Sequence, residues 1–341
     1  MPHLLIYILR RLGLGILSLI GLSMLIFVIS RVIPGDPARL ALGQIATKEA
    51  VENLRQEMHL DEPIYKQYYY WIKAVLKGDF GKSLFTGRPV IVDIRKTFPA
   101  TLELTMWAVI FSVIIGQLLG ITAARYHGKW LDNIARIIAY IGIITPNFVL
   151  AIVLLLIFGM KLDLLPGVGR LTPGTAPPAS ITGIYTIDAL FRLRFDLFWD
   201  ALKHVALPAI SMGWVSLAQE SRITRANMIS NMTTDYISSD KSFGFPTRVI
   251  FLKYLLKPSL VPTISIMGPD LAVIMVHAFL VEQIYNFPGF ARYGLQTIIS
   301  KDLNAVVVVI IIFGIIFVIA NIISDLVVSI LDPRIRFRRG L

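Results

Sequence analysis

The sequence has no cysteine. That excludes disulfides and thiolate metal sites. Charge is also scarce: Asp, Glu, Lys and Arg make up 16% of the 341 residues, against 55% hydrophobic. A soluble domain carries roughly 25% charged residues. Here the charges cluster between apolar stretches, which is the pattern of a membrane protein. The five histidines (His3, His59, His127, His204, His277) form no H-E-x-x-H pair and show no ligand spacing. No nucleophile, base and orienting group stand at a workable spacing, so no catalytic chemistry is expected of this chain. Gly81-Lys82-Ser83 ends like a phosphate-binding loop, but Leu76 stands where the first glycine is required.

The net charge is +11. Its distribution excludes nucleic acid, because the basic residues border apolar spans and form no stacking-and-basic stripe.

A bilayer needs about 20 apolar residues per helix. Six candidate stretches stand out, giving an all-α membrane protein. They run from Leu12 to Ser30, Thr105 to Ala124, Ile134 to Met160, Val205 to Ala218, Val261 to Tyr285 and Ala305 to Leu331. The fourth is weak and contains Pro208. Arg10 and Arg11 precede the first span as in a signal peptide. Its apolar core is too long and no A-x-A site follows, so an uncleaved helix is expected.

Four regions hold 15 basic residues against 5 acidic ones: the N-terminus, 125–136, 219–260 and the tail with Arg334, Arg336, Arg338 and Arg339. The loops 161–203 and 286–304 hold 7 against 5. The excess of Lys and Arg predicts that both termini are cytoplasmic. The long loop 31–99 is then extracytoplasmic. Val51, Leu54 and Met58 in it have near-helical spacing. A second helical stretch after Asp61 and Pro63 carries Tyr65, Tyr68, Tyr69, Tyr70 and Trp71, which suit the headgroup region. Asn231-Met232-Thr233 forms a sequon on the cytoplasmic side, where it is read as chance.

Segment 219–260 is too long for a turn between helices. It mixes charges with Ile237, Phe243, Phe245, Val249, Ile250, Phe251, Tyr254 and Leu255, and Gly244 and Pro246 break it into two pieces. Two short amphipathic helices under the membrane satisfy this pattern.

This segment resembles the cytoplasmic coupling loop of ABC importer permeases, whose signature is E-A-A, three residues and Gly. Gly244 and Pro262 match its glycine and closing proline. Ser238, Ser239 and Asp240 replace E-A-A, Phe243 replaces a basic residue common in relatives, and Pro246 adds a break. Other stretches resemble the dipeptide/oligopeptide permease family in the same order. They are Ile33-Pro34-Gly35-Asp36-Pro37, Phe98-Pro99-Ala100-Thr101-Leu102-Glu103-Leu104, Leu164-Leu165-Pro166 with Gly169-Arg170, Phe287-Pro288-Gly289-Phe290, and Asp332-Pro333-Arg334-Ile335-Arg336.

The resemblance implies a type I importer permease fold spanning 1–341 as one transmembrane domain in the bacterial inner membrane. It implies a second homologous permease, two cytoplasmic ATPase subunits that hold the ATP and Mg, and an extracytoplasmic solute-binding protein that delivers a peptide or similar small solute. This chain itself would hold no cofactor. Asp235, Tyr236, Asp240, Gly244, Arg248, Lys257 and Pro262 are the candidate ATPase-coupling residues. Asp270 and His277 lie seven residues apart in span five, on nearly one helix face. Ionisable groups at that depth face protein or water, so the two are expected to line the solute path. Glu282 is expected to brace the loop at Pro288. The alternative is a six-helix secondary transporter or channel subunit. No repeat relates the two halves, which counts against the transporter reading.

Overall fold

A computed structural model describes residues 2–32, 38–39, 46–57 and 59–331. The motifs at 33–37 and 332–336, the tail arginines and Met58 lie outside these residues. Among the described residues, regular structure is helical apart from one antiparallel bridge between Lys82 and Pro89.

Helix α1 (Pro2–Val32) contains the first span. Two short helices follow, α2 (Lys48–Glu57) and α3 (Ile64–Leu76). The aromatic residues of α3 divide between two roles. Tyr68 and Trp71 pack on Phe27 of α1 with ring centroids 5.4 Å away, and the Tyr68 hydroxyl meets Ser23 Oγ at 2.8 Å. Tyr65, Tyr69 and Tyr70 are exposed. Helix α3 is thus pinned to the end of α1 by rings that bury apolar area and keep one polar handle.

Helix α4 (Val90–Arg125) begins 15 residues before the expected start of span two at Thr105. The stretch 90–99, expected as loop, is therefore helix, with Pro99 inside it. A proline within a long helix is tolerated where neighbours support the backbone.

The third span is broken. Helix α5 (Trp130–Ile144) and α6 (Asn147–Lys161) meet at 109°. Thr145 is extended (φ −82°, ψ 117°), as a residue before proline must be, and Pro146 caps α6. The last turns of α6, Leu155–Lys161, widen to a π-helix.

After α7 (Tyr185–Phe191), helix α8 (Phe195–Met232) runs for 38 residues. It reads as a weak span because it is the central helix. Its most apolar window is 67% buried within the chain, against 17–33% for the other long helices. A helix sheathed by protein does not need a lipid-facing apolar surface, so it tolerates polar residues. Helix α4 packs along it at a seam of small residues. A Cβ on Gly213 would stand 2.6 Å from the Ala108 carbonyl oxygen, and one on Gly120 would stand 2.7 Å from that of Ser221. Such seams let helix backbones approach in a membrane, where the hydrophobic effect does not drive association.

Helices α9 (Asp235–Ser242), α10 (Thr247–Ile284), α11 (Phe290–Ile299) and α12 (Leu303–Leu331) complete the chain. Five helices are long and apolar enough to cross a membrane, and the bent pair α5–α6 makes a sixth span. The core lies among α4, α6, α8 and α10, around Leu104, Leu207, Met212, Ile274 and Tyr285. The Tyr285 hydroxyl donates to the Ala151 carbonyl at 2.9 Å, so its polar end is satisfied inside that core.

Candidate coupling surface and translocation path

The segment between α8 and α10 departs from the expected pair of short helices. Residues 219–232 belong to α8, and Thr247 already opens the long helix α10. Only α9 is a separate short helix. Its Ile237 is buried against Ala124, Met228, Ile250 and Leu255, which anchors it between the two spans. Asn231 donates to Ser259 Oγ at 2.8 Å and ties the end of α8 to α10. The sequon asparagine is thus a packing residue.

Gly244 ends α9 in the left-handed region (φ 77°). The Phe245 N–H bonds back to the Asp240 carbonyl at 3.2 Å and that of Phe243 to Ser239 at 3.0 Å. This is a Schellman-type stop, which favours glycine because a Cβ is strained there. Among the described residues, no atom beyond its two chain neighbours lies within 4 Å of where a Cβ would be. The glycine therefore serves the bend rather than a close approach within the chain. Pro246 then caps α10 in an extended conformation.

The result is an exposed mixed surface. Asp235, Tyr236, Arg248 and Lys257 are exposed and Asp240 is half-buried. Phe243 is 80% exposed, with Phe245, Val249 and Leu252 exposed beside it. Pro262 lies farther along, inside α10, beyond a π-helical stretch at Ile250–Leu256, and is exposed.

In α10, Asp270 and His277 reach different neighbours. His277 Nδ1 accepts from the Asn147 amide at 2.5 Å, and that amide also donates to the Met212 carbonyl at 3.2 Å. Asn147 is the first residue of α6 after the Pro146 break, so the broken span supplies His277 with its partner. Asp270 lies close enough to Glu220 of α8 for their charges to interact. Glu220 Oε2 and Asp270 Oδ2 are buried without a hydrogen-bond partner among the described residues. Thr224, one turn beyond Glu220, donates to Gln117 Oε1 at 2.8 Å and meets Thr263 Oγ1 at 2.9 Å. A polar seam thus follows the contact of α4, α8 and α10. Glu220 is absent from the sequence-based path because span four was ended at Ala218, two residues short of it. Asn147 carried a readable signal, a polar side chain directly after a proline inside an apolar run.

At the other end of the spans, buried carboxylates fasten the loops. Glu282, fully buried, accepts from the Thr101 hydroxyl and from the Arg292 N–H at 2.7 Å. Thr101 Oγ1 in turn accepts from the Phe290 N–H at 2.7 Å. Glu282 therefore braces the loop after Pro288, as expected. Glu103 pairs with Arg170 at 2.5 Å and accepts from the Thr186 N–H at 2.7 Å. The Arg170 guanidinium lies 3.5 Å from the centre of the Tyr185 ring. Asp188 accepts from the N–H groups of Ile181, Thr182 and Gly183 and from the Thr182 hydroxyl. Burial opposes its ionisation, but these bonds outweigh it and hold its pKa below the usual carboxylate value. The stretches 98–104, 169–170 and 287–290, far apart in sequence, meet in this layer.

No group of three or more His, Cys, Asp or Glu able to hold a metal ion occurs among the described residues.

Comparison with known proteins agrees over nearly the whole chain. Residues 116–337 match the family described as binding-protein-dependent transport system inner membrane component, and residues 4–105 match its N-terminal region. The chain is 38% identical over 320 residues to the probable D,D-dipeptide transport system permease protein of Escherichia coli, covering 94% of each. It is 36% identical over 331 residues to the dipeptide transport system permease protein of Alkalihalophilus pseudofirmus, covering 97% of this chain and 99% of that one. It is 30% identical over 333 residues to a glutathione transport system permease protein of Escherichia coli, with the same coverage. With its helical architecture and full-length similarity, the chain belongs to the binding-protein-dependent transport system inner membrane component family.

Proposed function

We propose that this chain is the transmembrane permease subunit of an ATP-driven ABC importer for dipeptides or similar small solutes, and that it forms half of the translocation path. The observation that carries this reading is the full-length similarity to dipeptide permeases. Two features of the fold support it. The exposed apolar surface on and beside α9 suits insertion into a partner, since an amphipathic helix lays its anchors into a groove. On this reading the groove belongs to one of two cytoplasmic ATPases, which hold ATP and Mg, and Asp235, Tyr236, Asp240, Gly244, Arg248 and Lys257 form the contact. Pro262 shapes the helix behind it.

The second feature is the polar seam. A buried carboxylate oxygen without a partner is costly in a membrane unless water, solute or another subunit meets it. Glu220, Asp270 and the Asn147–His277 pair therefore face the route shared with a second homologous permease. The carboxylates suit the ammonium end of a peptide. An extracytoplasmic binding protein delivers the peptide to the layer built on Glu103, Arg170 and Glu282. Both termini are cytoplasmic, and the loop after α1 is extracytoplasmic.

The test is reconstitution in proteoliposomes with the second permease, the ATPases and the binding protein. ATP-dependent uptake of labelled dipeptides, lost when either ATPase is omitted, is the expected result. Uptake by this chain alone, driven by an ion gradient, would establish a secondary transporter instead.

A further inference from the structure

Midway along α5, a cavity of about 60 Å³ opens between α5 and α8, with Ala123 of α4 also in its wall. That is several times the ~10–15 Å³ that one water needs. Its walls carry Arg136 and Tyr140 from α5 and Ser221, Arg222 and Arg225 from α8, and Ala135 and Ala139 leave the room between them.

Charge in this cavity is unbalanced. Arg225 holds Asp132 through two parallel bonds, Nε to Oδ1 at 2.6 Å and Nη2 to Oδ2 at 2.8 Å. The same Nη2 lies 3.2 Å from His127 Nδ1, which is also 3.3 Å from Asp132 Oδ2. Arg136 lies 3.9 Å from Asp132 and donates to Asn133 at 2.5 Å. Arg222 has no side-chain partner among the described residues. Among the described residues, Arg225 and Arg136 thus share the Asp132 carboxylate, and Arg222 adds a third guanidinium with none. Each guanidinium has five donors in a fixed fork that matches phosphate oxygens. Arg225 keeps its Nη1 donors clear of Asp132, Arg222 keeps all of its own, and the Tyr140 hydroxyl adds another.

The surroundings identify the anion. Tyr140 is 58% exposed at the cavity mouth, and Ile134, Ile137 and Ile141 of the same helix are exposed around it. Exposed Trp130 marks the end of that strip, as aromatic residues do at a membrane interface. A soluble phosphate would have no use for an apolar strip leading to its site.

We propose that this cavity binds the phosphodiester headgroup of an acidic phospholipid, with the acyl chains lying along Ile137 and Ile141. Basic pockets between transmembrane helices recognise headgroups in this way. That the lipid belongs to the inner leaflet rests on the orientation proposed above; the binding itself does not.

The test is native mass spectrometry of the full chain in detergent, titrated with phosphatidylglycerol or phosphatidylcholine. Phosphatidylglycerol should be retained preferentially. Arg222→Gln should weaken that preference about five-fold, and Arg136→Gln with Arg222→Gln roughly 25-fold, from the ~1 kcal/mol that each basic residue contributes near an anionic surface. Arg95→Gln, on an exposed residue of α4, should leave it unchanged, and each variant should elute as the parent does. Equal retention of the two lipids, or a preference that survives the double substitution, would overturn the proposal. So would displacement of the lipid by millimolar inorganic phosphate, which would mean a free-anion site. Quantitative cross-linking of Arg222→Cys to the second permease would mean a subunit contact and would overturn it too. The readout needs neither ATP nor uptake, so its failure is distinct from failure of the importer reading.

Discussion

Glu103 of α4 and Arg170 of the loop after α6 form a salt bridge of 2.5 Å in which both side chains are more than nine-tenths buried. The loop is held to the helix by a charge pair that water scarcely reaches. Such pairs are weak evidence of net stabilisation, but breaking one strands a charge. Glu103→Gln should therefore destabilise the fold by about 3–5 kcal/mol, read as a lower melting temperature in detergent. Adding Arg170→Met should cost less than the two single substitutions summed, because the second change removes the stranded charge. Strict additivity would argue against direct coupling.

Gly244 closes α9 at φ 77°. Gly244→Ala should cost about 1–2 kcal/mol, confined to the local turn because no atom crowds the new Cβ. Gly244→Asn should cost less, since Asn tolerates that region. Hydrogen exchange should show faster exchange across residues 235–245 in the Ala variant, with the spans unchanged. On the coupling reading, peptide-stimulated ATPase activity falls in step with that exchange. Normal activity and uptake in the bulkier Gly244→Val would count heavily against a docking role for this turn.

Glu220→Gln, Asp270→Asn and His277→Ala should each slow uptake several-fold in complexes that assemble normally. The two carboxyl variants should act most on peptides with a free amino terminus. His277→Ala leaves the Asn147 amide with its bond to the Met212 carbonyl alone, so its effect should be reproduced by Asn147→Leu. Three assembled variants with unchanged rate and preference would remove the path assignment.

Asp188 supplies a pH dependence. Its folded pKa lies below its usual value of 3.8. Between the two values the unfolded chain binds more protons than the folded one, so stability rises with pH there. The contribution is complete above the unfolded value and is lost as pH falls through the folded one. Melting temperatures of the parent and Asp188→Asn should therefore converge as pH drops below about 4. A constant difference across that range would exclude the role.

Orientation can be read with single cysteines, since the native chain has none. Thr182 is a poor site because its hydroxyl and N–H both bond Asp188. Ala179 and Ser242 are exposed. An impermeant thiol reagent added outside intact cells should label Ala179→Cys and spare Ser242→Cys. The reverse labelling would invert the topology.

The amino-acid sequence determined the spans, because a hydrocarbon layer demands about 20 apolar residues wherever a helix crosses it. It also located the break at Gly244 and Pro246, since backbone conformation there depends on a missing Cβ and a missing N–H. Asp270 and His277 stood out for a similarly local reason: a charge or imidazole in an apolar run is visible without knowing its partner. The partners were not visible. Asn147 meets His277 across 130 residues, Glu103 meets Arg170 across 67, and Asp132 meets Arg225 across 93. No periodicity encodes such pairings; they follow from how the helices pack. Packing also decided the extent of α8. Its polar residues read as loop when lipid is assumed around it and as core once α4 and α10 enclose it. The bend at Pro146 was likewise settled by tertiary structure. A proline only weakens a helix at that point, whereas the 109° turn sets Asn147 beside α10.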